Sequence, residues 1–237
     1  MAKNQAPQSL DLNERINKTE AFVNKNKKTI IIVLVAVAAL VAAGFAGYTW
    51  LKNREAKAQA QLGLGIQYIA QQTPEGFTKA LNGEGQFLGF LKIAKKYSFT
   101  DGANLAHAYA GECYANLGKY KEAIKELESF SAQGDITVSP AVLACLANCY
   151  ANDKQFDKAI DTFKKAADKA DNESLSPVYL MSAAQLLESQ GKADEAKAIY
   201  EQIKKDYPLS SVSMPRQQGE EVFAAPEIDK YIERATK

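Results

Sequence analysis

The chain has 237 residues, 46% of them hydrophobic, and carries 29 Lys and Arg against 28 Asp and Glu for a formal net charge of +1. Such a balance offers no concentrated basic face to a nucleic acid. One histidine and three cysteines, none in a C-x-x-C pair, leave little from which to build a metal centre.

Residues 1–28 hold six Lys/Arg against three Asp/Glu and read as a polar leader. Leu12, Ile16, Phe22 and Val23 fall on one face of a short amphipathic helix there. Residues 29–51, TIIIVLVAVAALVAAGFAGYTWL, form a run of 23 without a charge. At about 1.5 Å per residue this run spans roughly 35 Å, enough to cross a hydrocarbon core of about 30 Å. A cleaved signal peptide has an apolar core of only about 7–15 residues and ends at a small-x-small site. The longer run and its long leader therefore predict an uncleaved transmembrane anchor. Lys25, Lys27 and Lys28, with Arg15 and Lys18 upstream, outnumber Lys52, Arg54 and Lys57, which puts the amino terminus on the cytoplasmic side. Tyr48 and Trp50 suit the far interface. In a bacterium, the chain would then be a single-pass protein of the inner membrane with its carboxy-terminal part in the periplasm. Ala39, Ala43 and Gly47 recur every four residues, a row of small side chains that predicts close packing against a second transmembrane helix.

Residues 52–102 read as a helical extension and a degenerate leading unit. Leu62, Ile66, Ile69 and Ala70 continue a helix to about Gln72, and Pro74 opens a short one ending at Asn82-Gly83. Phe87, Phe90, Leu91, Ala94 and Tyr97 form a third helix, closed by Thr100-Asp101-Gly102.

Residues 103–208 repeat. The segments HAYAGECYANLGKYKEAIKELESF (107–130), LACLANCYANDKQFDKAIDTFKKA (143–166) and LMSAAQLLESQGKADEAKAIYEQI (180–203) start 36 and 37 residues apart. Small residues recur at Gly111, Ala147 and Ala184, and again at Ala123, Ala159 and Ala196; large ones recur at Tyr114, Tyr150 and Leu187 and at Leu127, Phe163 and Tyr200. Phe130, Ala166 and Ile203 complete the second helix of each unit, and Gly118, Lys154 and Gly191 supply the turn. This pattern resembles the tetratricopeptide repeat, with Pro208 closing the third unit. The resemblance implies an all-α fold: an N-terminal transmembrane helix, then a helix-turn-helix solenoid of three repeats. Residues 209–225 read as a loop and residues 226–237 as a capping helix, with Ile228, Tyr231 and Ile232 on one face.

No nucleophile motif, P-loop, dinucleotide fingerprint or H-E-x-x-H occurs, so neither catalytic residues nor a cofactor or metal is expected. His107 falls at a core-facing repeat position, and Cys113, Cys145 and Cys149 read as free thiols. Function is expected on the groove lined by the first helix of each hairpin. Its predicted positions are Ala108, Glu112, Asn116, Ala144, Asn148, Asn152, Met181, Gln185 and Glu188, a small, neutral and amide-rich set. Such a surface suits apolar segments with an extended backbone and lacks the Lys and Arg that grip an acidic tail.

The basic leader, the span with its Tyr/Trp exit, the Ala/Gln-rich continuation and the stretch YSFTDGANLAHAYAGE are together similar to the YfgM-like family of ancillary Sec-translocon subunits. That resemblance covers most of residues 20–205 in architecture. It implies a non-enzymatic adaptor beside a SecYEG-type channel that handles exported protein segments together with a membrane-anchored periplasmic chaperone. The same layout would also serve a scaffold in another envelope assembly, such as cell division or outer-membrane biogenesis. A cytosolic organelle receptor would call for the acid-tail clamp, which is missing.

Overall fold

The computed structural model describes residues 10–218 and 222–236, with side chains for 15–215 and 225–236. The first helix, α1 (Leu10–Ile69), crosses a division after Asn53 that separates two compact units. In the first unit the helix is long and apolar enough to cross a membrane, and none of its most apolar stretch is buried by the described chain. Ile32, Leu40 and Phe45 are 68%, 73% and 69% exposed, part of an extended apolar surface. Nothing lies within 4 Å of where a Cβ on Gly47 would stand.

The second unit begins with the end of α1, α2 (Pro74–Asn82) and α3 (Phe90–Lys96). Pro74 opens α2, and the Thr73 hydroxyl accepts the Gly76 N–H to cap it. Leu62, Phe77, Leu81, Phe87, Phe90 and Ile93 are buried together. A chain of rings, Tyr68–Phe87–Phe90–Tyr109, with centroids 5.5, 5.3 and 5.1 Å apart, joins this cluster to α4 (Asp101–Asn116). The third helix starts at Phe90, later than the periodicity suggests, because Glu84 and Phe87 bridge across a turn and Gly89 has φ +84°. Thr100 serves two helices: its hydroxyl donates to the Tyr97 carbonyl at 2.6 Å and accepts the Ala103 N–H at 3.1 Å.

Three helical hairpins follow: α4 with α5 (Tyr120–Glu128), α6 (Val138–Asn152) with α7 (Phe156–Ala170), and α8 (Ser176–Ser189) with α9 (Ala193–Asp206). They pack in series through α5 on α6 and α7 on α8. The repeated small residues lie where the helices cross. Ala123, Ala159 and Ala196 are fully buried, and a Cβ on Gly111 would stand 2.4 Å from Leu127 Cγ.

The three intra-hairpin turns are alike in their hydrogen bonds. Lys119, Gln155 and Lys192 donate to the carbonyls of Tyr114, Tyr150 and Leu187, and Gly118, Lys154 and Gly191 donate to those of Ala115, Ala151 and Glu188. This Schellman arrangement needs a left-handed residue, and φ is +71°, +61° and +74° at Gly118, Lys154 and Gly191. A side chain in that conformation costs about 1 kcal/mol. Lys154→Gly is therefore expected to raise stability by roughly 0.5–1 kcal/mol, seen as a higher denaturant midpoint at unchanged m-value.

A second repeating device joins the hairpins. Asp135 and Asn172 lie four residues before the buried, proline-flanked Ser139 and Ser176. The Asp135 carboxylate accepts the N–H groups of Thr137, Val138 and Ser139 at 3.0, 2.6 and 3.0 Å and the Ser139 hydroxyl, while the Asn172 carbonyl accepts those of Ser174 and Leu175. The hydroxyl of Ser139, with these backbone N–H groups, holds the Asp135 carboxyl down at about 2. Because the folded value lies below the unfolded one of about 3.9, this contribution is complete above that pH and is lost as pH falls toward 2. Asp135→Ala is expected to cost about 1 kcal/mol at pH 7, with the gap to the parent closing in urea titrations run below pH 3.

The segment 209–225, expected to be a loop, is not wholly irregular among its described residues. It contains two strands, β1 (Arg216–Gln218) and β2 (Val222–Ala224), paired antiparallel with Gln217 opposite Phe223. A last helix, α10 (Glu227–Arg234), packs on α9 with Ile228 fully buried, the Ile228 N–H on the Val212 carbonyl at 3.0 Å, and Lys204 on Asp229 at 2.6 Å.

Candidate functional site

The first helices of the hairpins, α4 and α6, bound a cleft of about 530 Å³. Leu105, Ala108, Tyr109 and Glu112 come from α4; Val138, Ala141, Val142 and Cys145 come from α6; Leu127 and Thr137 complete the lining. Both helical sets follow the spacing i, i+3, i+4, i+7, which aligns four side chains on one face. The walls are apolar, and Glu112 is the one carboxylate among the lining residues. Burial pushes its carboxyl above the ordinary range. A site of this composition takes an apolar side chain and offers one acceptor to a neighbouring donor.

Between α6 and α8 lies a smaller compartment of about 310 Å³, lined by Asn148, Ala151, Phe163, Ser182, Gln185, Leu186 and Ser189. Its polar groups are amides and hydroxyls, able to donate to or accept from an extended backbone.

The groove residues expected from the sequence fall into four groups. Ala108 and Glu112 line the apolar cleft, and Asn148 and Gln185 line the amide compartment. Asn116 and Asn152 are exposed, but their amide groups donate to the carbonyls of Glu112 and Asn148 one turn back. Met181 and Ala144 are buried in the core cluster of the last two hairpins. Glu188 is engaged within the fold: it accepts the Tyr200 hydroxyl at 2.7 Å and the Arg234 Nε–H at 3.0 Å. The Arg234 guanidinium beside it holds its carboxyl low, while burial and Glu188 push the Tyr200 hydroxyl up. Glu188→Ala is expected to destabilise by about 1–3 kcal/mol, since the hydroxyl of fully buried Tyr200 and the last helix both lose their partner. Hydrogen exchange should rise first in α10.

Reading every fourth residue along α4 and α6 overlooks Leu105, Tyr109, Val138, Ala141, Val142 and Cys145. The full helical-face spacing would have found them.

His107 is half-buried at the edge of the α4–α5 hairpin, its Nδ1 2.8 Å from a Glu126 carboxylate oxygen. That is a shallower place than the core-facing one expected, because the helix turns the ring toward the acidic side of α5. Cys113 and Cys149 are buried and Cys145 half-buried, and none is disulfide-bonded. Burial, reinforced by Glu112, pushes the Cys113 thiol up to about 12, and the hydrogen bond with Cys149 together with burial pushes Cys145 up. Such thiols are poor nucleophiles at neutral pH. Among the described residues no group of three His, Cys, Asp or Glu could hold a metal ion.

A family model described as a tetratricopeptide repeat-like domain matches residues 20–210. Among solved structures, the putative kinesin light chain of Podosopora anserina, with nearly identical TPR-like repeats, is similar in fold at a TM-score of 0.55 and 14% identity. That likeness covers 76% of this chain and 86% of the other. A point-substituted form of the same protein gives 0.54 at 15% identity, over 76% and 85%. No curated protein matches the chain at a significant level.

Proposed function

The chain belongs to the tetratricopeptide repeat-like domain family, a fold that serves protein–protein interaction, and from that premise we propose that it is a non-enzymatic, membrane-anchored adaptor that holds extended segments of other proteins. The observation that carries this reading is the apolar cleft between α4 and α6 followed, one hairpin on, by the amide and hydroxyl compartment between α6 and α8. An extended peptide presents an apolar side chain and then backbone donors and acceptors within a few residues. These two compartments match that order. Glu112 would accept a backbone N–H at the mouth of the cleft, and Asn148 and Gln185 would pair with the backbone beyond it.

The anchor is the apolar part of α1, left uncovered by the described chain. Its more basic leading flank favours a cytoplasmic amino terminus and repeats on the periplasmic face of a bacterial inner membrane. Ala39, Ala43 and Gly47 would face a transmembrane partner. The similarity to YfgM-like proteins supports a place beside the SecYEG-type channel, receiving exported segments and passing them to a membrane-anchored periplasmic chaperone.

Two experiments test this. Protease added to spheroplasts should digest the repeats; their survival would contradict the topology. Purification of the full chain in mild detergent should recover channel subunits. If cell-division or outer-membrane assembly components came down instead, the chain would be an adaptor of that other machinery.

A further inference from the structure

The turn between α3 and α4 holds a side chain that the fold does not account for. Phe99 is 89% exposed and has φ +69°. A bulky residue in the left-handed region is strained, and glycine would relieve that strain. An aromatic ring held in water at a strained position contributes nothing to the core and costs stability.

The surroundings of this turn are cationic and tied to the start of the second unit. Lys95 and Lys96 are exposed in the last turn of α3. Arg54 donates to the Lys96 carbonyl, and both Arg54 and Lys96 lie over the Tyr97 ring, at 5.8 and 5.4 Å. The Gly102 N–H, just beyond Phe99, donates to Glu55 at 3.1 Å. The nearby acids are thereby accounted for in part: Glu55 is occupied by Gly102 and Gln59, and Asp101 stands in the first turn of α4. Arg54 follows Leu51, the last residue of the uncharged run, by three residues, a chain length of at most about 11 Å even when fully extended. The strained ring and its cations are thus fastened to the first residues of the second unit.

We infer that the α3–α4 turn docks on the phospholipid surface, with Phe99 inserted at the headgroup–acyl boundary and the exposed Lys95 and Lys96 against lipid phosphates. An aromatic ring flanked by cations is the combination that interfaces favour: the ring leaves water while the charges stay hydrated among anionic headgroups. Docking would give the repeat unit its own hold on the bilayer surface. The inference rests on the bilayer reading of α1 given above, and the test separates the two.

The full chain is placed in lipid nanodiscs with brominated or ordinary phospholipids, with and without an anionic lipid. Trp50, the sole tryptophan, reports the anchor in the parent chain. A Trp50→Phe/Phe99→Trp chain reports the turn. The expected result is quenching of both tryptophans by brominated lipid, a blue-shifted emission at position 99, and stronger quenching there with anionic lipid. In a chain also carrying Lys95→Glu and Lys96→Glu, that anionic increment should be lost. Quenching of Trp50 with water-like, unquenched emission at position 99 overturns the docking while the anchor stands. Quenching at position 99 that is equal in both lipids overturns the role of the cations. Failure to quench Trp50 overturns the anchor itself and the docking with it. Phe99→Gly in detergent should raise the unfolding temperature, and no change there would contradict the strain from which the inference starts.

Discussion

Ala123→Trp is expected to abolish the cooperative unfolding transition of the first hairpin. The Ala123 side chain is fully buried at the α4–α5 crossing, and its carbonyl lies 3.3 Å from where a Cβ on Gly111 would stand. An indole is far larger than the space a fully buried alanine leaves at this crossing, so α4 and α5 are expected to separate. Inserting even a few methylene groups into a packed core costs about 1–3 kcal/mol, and a ring of this size costs more, against a total stability of about 5–15 kcal/mol. Loss of helical circular dichroism and of the sharp thermal transition would be the readout. The matching changes at Ala159 and Ala196 should act alike, because each occupies the equivalent, fully buried slot. A melting curve identical to the parent's would mean that these small residues do not register the hairpins.

The second large effect is expected on binding rather than on folding. Ala141 is exposed on the α6 wall of the apolar cleft, so Ala141→Trp fills the cleft without entering the core. Stability should change by no more than about 0.5 kcal/mol. Recovery of partner segments should fall by about 30-fold, the equivalent of losing one interface hot spot of about 2 kcal/mol. Lys165→Glu, exposed on α7 and outside both groove compartments, serves as the control and should bind as the parent does. Reversal of the two results would move the binding face away from the cleft and remove the observation on which the proposed function rests.

Much of this architecture is legible in the sequence. An uncharged run of 23 residues can be read by length alone. Small and large residues recurring at a near-constant interval identify stacked hairpins, because two helices approach closely only where both lack bulk. The turn residues Gly118, Lys154 and Gly191 were legible for a similar reason: the C-terminal end of a helix needs a left-handed residue just beyond it, and the requirement is local.

The groove was legible only in part. Ala108, Glu112, Asn148 and Gln185 reach it, whereas Met181 is covered by the core and Glu188 is held by Arg234, 46 residues along the chain. The sequence by itself determined everything that depends on one helix and its own period: the long uncharged apolar run, the repeat, the small slots and the turns. Tertiary structure alone decided which first-helix side chains remain open, where the apolar cleft lies, and that Phe99 is left exposed. Exposure is a property of what packs on a residue, and packing partners such as α6 beside α4 come from segments whose approach no local pattern encodes.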